Sequence, residues 1–395
     1  MKMRCTFCLF LVFFSLSVLS QWEEQQSFLP IAREIKQAIP ADVNGVCYVD
    51  LVAISQEPRR LYWQASTADP NIFSLVHIIA EDAREFTDFQ LDDLDQDGDL
   101  DILAVVGFPS RLVWYENIGS VERQFASEQL IIQANSIDHI QLYDFNQDGL
   151  LDISYLGSIS AGSTFKFGVF LAEGNAVFSE PIMTEAALTF GLPNPERWFF
   201  FEGENNQLEL YANWKEAPDD PLGVLYFDRT SLTFSEVETI TEEEHYVRNI
   251  GDFNGDGKPE LLVNISFQGL HLYTLENEQW IRKPVHSSGL LSTKVAVTDI
   301  NKDGLSDIVM NMDSFSVEQG GLLEERLFWT AGNTELDFTP PLPLTSEVPW
   351  NATFSFQDMN EDETLDLFYY LDDNITPSYK IRQADDTWDK AIPFS

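Results

Sequence analysis

A nine-residue acidic pattern recurs along this chain, and its spacing decides what the chain can fold into. It reads "DLDQDGDLD" at Asp93 to Asp101, "DFNQDGLLD" at Asp144 to Asp152 and "DFNGDGKPE" at Asp252 to Glu260. It returns as "DINKDGLSD" at Asp299 to Asp307 and "DMNEDETLD" at Asp358 to Asp366. Successive copies start 51, 108, 47 and 59 residues apart. The 108-residue step is about twice the others, so one copy there has lost its acids, near "FEGENNQLEL", Phe201 to Leu210. A degenerate copy, "DVNGVCYVD" at Asp42 to Asp50, lies 51 residues before the first full one. Seven units of about 51 residues therefore fill the chain, and repetition at that period is the signature of a propeller or a solenoid.

A second periodic feature follows each loop: an apolar run, a strand with an aromatic, a polar turn, then another aromatic. "DILAVVG" leads into "RLVWYENIGSVERQF", and equivalents include "VLYFDRTSLTF", "LYTLENEQW" and "LFWTAGNTELDF". Units without acids keep this pattern, so the repeat is structural and the acids are an addition to it. Each unit reads as four short β-strands separated by Gly, Asn and Asp turns. In the second unit these are "REFTDFQL", "DILAVV", "RLVWYE" and "ASEQLII". One segment, "IAREIKQAI" (31–39), has helical spacing and is expected to form a short helix. Four-stranded units in this number predict an all-β propeller of seven blades over residues 21–395. A solenoid is the alternative, though its repeats are usually shorter.

Carboxylates at loop positions 1, 3, 5 and 9, with a backbone carbonyl from position 7, can wrap a hard cation. Glycine at position 6 permits the sharp turn. Flexible coordination by many oxygens suits Ca²⁺ better than Mg²⁺, and these loops contain no His or Cys for a transition metal. An EF-hand would need Glu at position 12. Position 12 is instead Ala104, Tyr155, Val263, Met310 and Tyr369, and β-runs follow.

With its "DIL" or "DIV" sequel and "WYEN", the loop resembles the FG-GAP/VCBS repeats of integrin-α-like N-terminal propellers. The resemblance covers essentially the whole chain after residue 20. It implies loops that join the first two strands of a blade and hold Ca²⁺, up to about five ions here. By that resemblance the ligands are Asp93, Asp95, Asp97 and Asp101 in blade 2, with the carbonyl of Asp99. Blade 3 supplies Asp144, Asn146, Asp148, Asp152 and the carbonyl of Leu150. Blade 5 supplies Asp252, Asn254, Asp256, Glu260 and the carbonyl of Lys258. Blade 6 supplies Asp299, Asn301, Asp303, Asp307 and that of Leu305, and blade 7 Asp358, Asn360, Asp362, Asp366 and that of Thr364. Glu363 departs from the pattern by replacing the turn glycine, Glu260 is one methylene longer than Asp, and Val46 stands where the first loop needs its third acid. The first and fourth loops are not expected to bind.

The first twenty residues form a basic start followed by an apolar run, "CLFLVFFSLSVLS", that ends in small residues. This layout predicts a secretory signal peptide cut between Ser20 and Gln21. The run is short for a membrane anchor. Cys5 and Cys8 would leave with it, and Cys47 alone permits no internal disulfide. Loss of Lys2 and Arg4 takes the formal charge from -42 to -44. That acidity excludes nucleic acid and anionic membranes as partners, since both demand a basic face. A hydrophobic share of 44% argues against disorder.

No nucleophile elbow, P-loop or dinucleotide fingerprint is present. His77, His139, His245, His271 and His286 are scattered, and no acid outside the loops stands out. The expected function is therefore an exported, monomeric, non-catalytic module that binds a protein or glycan. The alternatives are a polysaccharide lyase or hydrolase on the same scaffold, and a purely adhesive surface component.

Overall fold

The computed structural model describes residues 33–46, 48–67, 76–119, 124–160, 165–185, 198–203, 207–214, 221–241, 243, 245–265, 268–286, 294–311, 326–338, 340–349, 352–360, 362–371 and 377–394. The expected leader (1–20) and Cys47 lie outside these residues. Among the described residues, seven antiparallel blade sheets follow one another along the chain, each running in sequence order, and a two-stranded hairpin, Ala172–Gly174 with Val177–Phe178, is inserted in the third. Blade 1 comprises Arg33–Ala41, Asp50–Glu57, Arg59–Gln64 and His77–Glu81. Blade 2 comprises Phe86–Asp92, Asp101–Val106, Ser110–Tyr115 and Gln129–Ala134. Blade 3 pairs Ser136–Tyr143, Asp152–Ser158, Lys166–Phe170 and Ile182–Met183. Blade 4 has Trp198–Glu202, Leu208–Asn213 and Leu222–Asp228, with its outer position shared by Thr233–Phe234 and Glu238–Thr241. Blades 5, 6 and 7 open with Tyr246–Gly251, Val295–Thr298 and Thr353–Gln357, and blade 7 ends with Ile392–Pro393. Their second strands are Glu260–Ile265, Asp307–Asn311 and Asp366–Tyr370.

The second strand shows why the apolar runs are continuous. Ile102, Ala104 and Val106 pack with Val52, Ile54 and Trp63 of blade 1, while Leu103 and Val105 pack with Ile140, Ile153 and Tyr155 of blade 3. Alternating side chains thus enter two different cores, so every position of the strand is buried. Each such side chain contributes roughly 1.5–3 kcal/mol by leaving water. The same two-sided burial recurs between each adjacent pair of blades. Packing closes the ring: Ile35, Leu51 and Tyr62 of blade 1 meet Phe368, Tyr379 and Phe394 of blade 7.

Side chains on the first strands stitch neighbouring blades around the axis. Gln37 donates to the Phe89 carbonyl at 2.9 Å and accepts from the Phe89 amide at 3.1 Å. Gln90 donates to the Ile140 carbonyl at 3.2 Å, and the Ile140 amide donates to Asp88 at 2.9 Å. First strands therefore line the central channel.

The expected helix at 31–39 is not formed. Its described part belongs to the first strand of blade 1, Arg33–Ala41. Pairing skips Lys36 between Ile35 and Gln37, so a bulge adds one residue to the strand. That extra residue changes the strand's period of two into the spacing of buried Ile35 and Ala38, which mimics a helical face. Among the described residues, no helix is long and apolar enough to cross a membrane.

Candidate functional site

The acidic loops join first and second strands on one face of the ring, and all are built alike. In blade 2, Asp93 accepts the amides of Asp97 and Gly98, both at 3.0 Å, through different oxygens. Asp95 also accepts from the Asp97 amide at 3.2 Å, and Asp97 accepts from Asp99 at 3.0 Å. These bonds curl the loop around its own carboxylates, and Gly98 takes φ 101 to complete the turn. A Cβ on Gly98 would touch nothing, so the demand is on backbone conformation rather than space.

The ninth position does a different job. Asp101 is fully buried at the start of the second strand; it accepts Leu94 N at 3.2 Å and Asn117 N at 2.8 Å. It thereby ties the loop to the chain leaving the third strand. Asp152 does the same with Phe145 and Ala172, Asp307 with Ile300 and Gly332, and Asp366 with Met359 and Arg382. Glu260 uses its extra methylene to reach Phe253 N, Asn254 Nδ2 and Thr274 Oγ1. Burial pushes the carboxyls of Asp101, Asp152 and Asp366 up to about 6 and that of Glu260 to about 7. A buried carboxylate in that state is stabilised by a nearby cation.

The first position repeats equally well. Asp144, Asp252, Asp299 and Asp358 each accept the amides at positions 5 and 6. Asp148, Asp256, Asp303 and Asp362 each accept the amide of position 7, namely Leu150, Lys258, Leu305 and Thr364. Oxygens of Asp93, Asp95 and Asp101 lie within 4.8 Å of one another, close enough to share one ion. Burial first, then the neighbouring Asp97 and Asp93 charges, raises the Asp95 carboxyl. An all-oxygen set of this kind fits a hard divalent cation. Where position 3 is Asn, its amide nitrogen instead spans to an acid: Asn146 to Asp148 at 2.9 Å, Asn301 to Asp303 at 2.9 Å, Asn360 to Asp362 at 3.1 Å. In blade 4 the equivalent connection is flanked by a hydrogen bond from Gly203 N to the Gln207 carbonyl at 3.0 Å.

A second site was not evident from the sequence. A cavity of about 660 Å³ occupies the channel beside blades 1 to 3. Its wall is formed by Lys36 and Gln37 of blade 1, Thr87, Asp88 and Gln90 of blade 2, and Asp138, His139, Gln141 and Leu142 of blade 3, with Tyr370 of blade 7. Lys36, Thr87 and Asp138 are equivalent residues, each skipped by the pairing of its strand. The bulge re-aims them toward the axis. His139 Nδ1 lies 2.6 Å from Asp88 Oδ2, and its ring centroid is 5.2 Å from that of Trp198. Sequence reasoning separated these two residues because they belong to different blades. The signal available was their shared offset, five residues before the acidic loop of each blade.

The other histidines also have structural settings. His245 is buried, with Nδ1 2.8 Å from the Tyr273 hydroxyl and Nε2 3.0 Å from Glu243, and burial depresses its pKa. His77 stacks on Trp63 at 5.0 Å.

Comparison with known proteins agrees with this architecture. The FG-GAP-like repeat family matches residues 93–154 and 252–310, so the chain carries FG-GAP-like repeats. No curated protein sequence matches the chain. Among solved structures it is similar to the crystal structure of the BP39L lectin from Burkholderia pseudomallei, with a TM-score of 0.65 and 14% identity. The match covers 92% of this chain and 100% of the lectin. This is a likeness of fold: a seven-bladed propeller of four-stranded antiparallel blades.

Proposed function

We propose that this chain is an exported, Ca²⁺-bearing propeller that binds glycan without transforming it. The observation that carries this reading is the full-length likeness in fold to a lectin, on a chain whose channel wall is rich in amide and carboxylate groups. The acidic loops of blades 2, 3, 5, 6 and 7 are the Ca²⁺ sites, with Asp93, Asp95 and Asp101 the best-formed set. Their role is to brace one face of the ring, and five ions would take the formal charge from -44 to -34. Export rests on the leader-like first twenty residues, and N-terminal sequencing of the secreted chain should begin at Gln21.

The test is a glycan array probed with and without chelator. Retention of a glycan, with no product released, is the expected result. Failure to retain any glycan would overturn the reading. A specific observation favours one other possibility: the Asp88–His139 contact places a base and its orienting carboxylate inside a cavity. Under that polysaccharide-active reading, the same glycans would instead yield new reducing ends or unsaturated products.

A further inference from the structure

The channel wall is uneven, and the unevenness has a chemical sense. In blades 1 to 3 the three equivalent wall positions carry Lys36, Thr87 and Asp138, then Gln37, Asp88 and His139, and the next inward-facing position carries Gln90 and Gln141. The matching positions carry Tyr246, Val247 and Asn249 in blade 5, Lys294 and Ala296 in blade 6, and Ala352, Thr353 and Ser355 in blade 7. Blades 1 to 3 thus bring carboxylate, imidazole and amide groups together, whereas blades 5 to 7 mix apolar residues with amide, hydroxyl and ammonium groups.

In blades 1 to 3 several of the donors are engaged by the protein itself. Gln90 and Gln141 give their amide nitrogens to the Ile140 and Trp198 carbonyls, at 3.2 and 3.5 Å. Each leaves its carbonyl oxygen, Oε1, for the cavity. Asp88 uses Oδ2 for the Ile140 amide and for His139, which leaves Oδ1. Lys36 is held by Glu85 at 2.8 Å. Asp138 adds a second carboxylate to the wall. These acceptors line a cavity of about 660 Å³, within the roughly 300–1,000 Å³ typical of small-molecule sites.

Acceptors of this kind select a ligand rich in hydroxyl or amide donors. They repel one bearing carboxylate or sulfate, because two acidic side chains already face the space. We infer that the channel cavity beside blades 1 to 3 is the saccharide site, and that it takes a neutral or N-acetylated sugar residue and rejects acidic ones. The inference rests on the glycan-binding reading above and gives it a location. It places the sugar in the channel and not at the acidic loops.

The experiment uses the full chain with Ca²⁺ present. An array of neutral, N-acetylated, uronate-bearing and sulfated oligosaccharides is screened, and the best soluble oligosaccharide is titrated by calorimetry. The double variant Gln90→Met, Gln141→Met keeps side-chain length and removes both acceptors. It should weaken binding at least tenfold. Asp138→Asn, a nearly isosteric change, should weaken binding severalfold and relax the rejection of uronates. Leu342→Ser, on the exposed outer rim of blade 6, should leave affinity unchanged. If glycans bind and both channel variants keep wild-type affinity, the location is wrong while the glycan reading stands. Preferential binding of uronates or sulfated chains would overturn the stated chemistry. If no glycan binds, the underlying reading fails and the location falls with it. Asp138→Asn answers the question should the double variant fold poorly.

Discussion

Of the five carboxylates in the second acidic loop (Asp93, Asp95, Asp97, Asp99 and Asp101) the first keeps two, Asp42 and Asp50, and the comparison separates what folds the loop from what the proposed cation needs. In blade 1, Asp42 and Asn44 both accept the Val46 amide at 3.1 Å. Buried Asp50 accepts Val43 N at 3.2 Å and Ser66 N at 2.9 Å. In blade 2, Asp93, Asp95 and Asp101 make the equivalent bonds. The two loops therefore take the same path, although Val46 replaces the third acid and stands half exposed. Positions 1 and 9 fold the loop. Position 5 adds the Asp97 carboxylate, which accepts the Asp99 amide at 3.0 Å and is assigned to the proposed cation.

The largest expected effect comes from Ca²⁺ itself. A ligand at one hundred times its Kd stabilises the folded chain by about 2.7 kcal/mol per site, so several occupied loops should raise the melting temperature markedly. Scanning calorimetry in millimolar Ca²⁺ and in excess chelator measures this. An unchanged midpoint would remove the metal from the comparison and leave both loops purely structural.

Next in size are the position 9 carboxylates. Asp101→Ala would leave the Leu94 and Asn117 amides buried without partners, at about 1–3 kcal/mol each. Asp50→Ala should cost a similar amount in blade 1, where no metal is proposed. Urea melts of both variants in chelator should therefore agree. A much milder Asp50→Ala would mean that position 9 acts mainly through the cation.

The third acid gives the converse experiment. Asp97→Val gives the second loop the residue that the first has at position 5, Val46. In chelator its stability should match wild type to within about 1 kcal/mol, while Ca²⁺ stoichiometry by calorimetry falls by one ion. Retained stoichiometry would show that position 5 is not a ligand.

The sequence exposed the loops and the ring because both are written at a fixed period. Acids, apolar runs and turns recur in register, and each blade buries the same faces. Even the fourth loop, which lacks the acidic pattern, joins the first and second strands of its blade, Trp198–Glu202 and Leu208–Asn213. The channel site stayed hidden for two physical reasons. Bulges at Lys36, Thr87 and Asp138 break the two-residue alternation, which made the first strand of blade 1 resemble a helix. The Asp88–His139 contact joins residues 51 positions apart that only the closed ring brings together. Long-range polar contacts of this kind leave no local pattern.

The turn residue at position 6 yields the smallest effect, because it changes only backbone strain. Gly98 occupies φ 101 without cost, whereas Glu363 holds φ 64, a left-handed conformation that costs a side-chain-bearing residue about 1–2 kcal/mol. The blade 7 loop keeps its bonds regardless: Glu363 N donates to Asp358 at 2.8 Å, and Lys302 from the blade 6 loop reaches the Glu363 carbonyl at 2.7 Å. Both bonds use backbone atoms, so Glu363→Gly preserves them. The substitution should stabilise the chain by about 1 kcal/mol, less the extra entropy that glycine gives the unfolded state. It should also tighten Ca²⁺ at this loop, because a relaxed turn lets Asp358, Asn360 and Asp362 converge without opposing strain. Thermal melts with and without Ca²⁺ separate the two contributions. A gain in chelator alone assigns the penalty to the backbone, and a loss in both conditions would show that the Glu363 side chain supports the loop in a way its neighbours do not reveal.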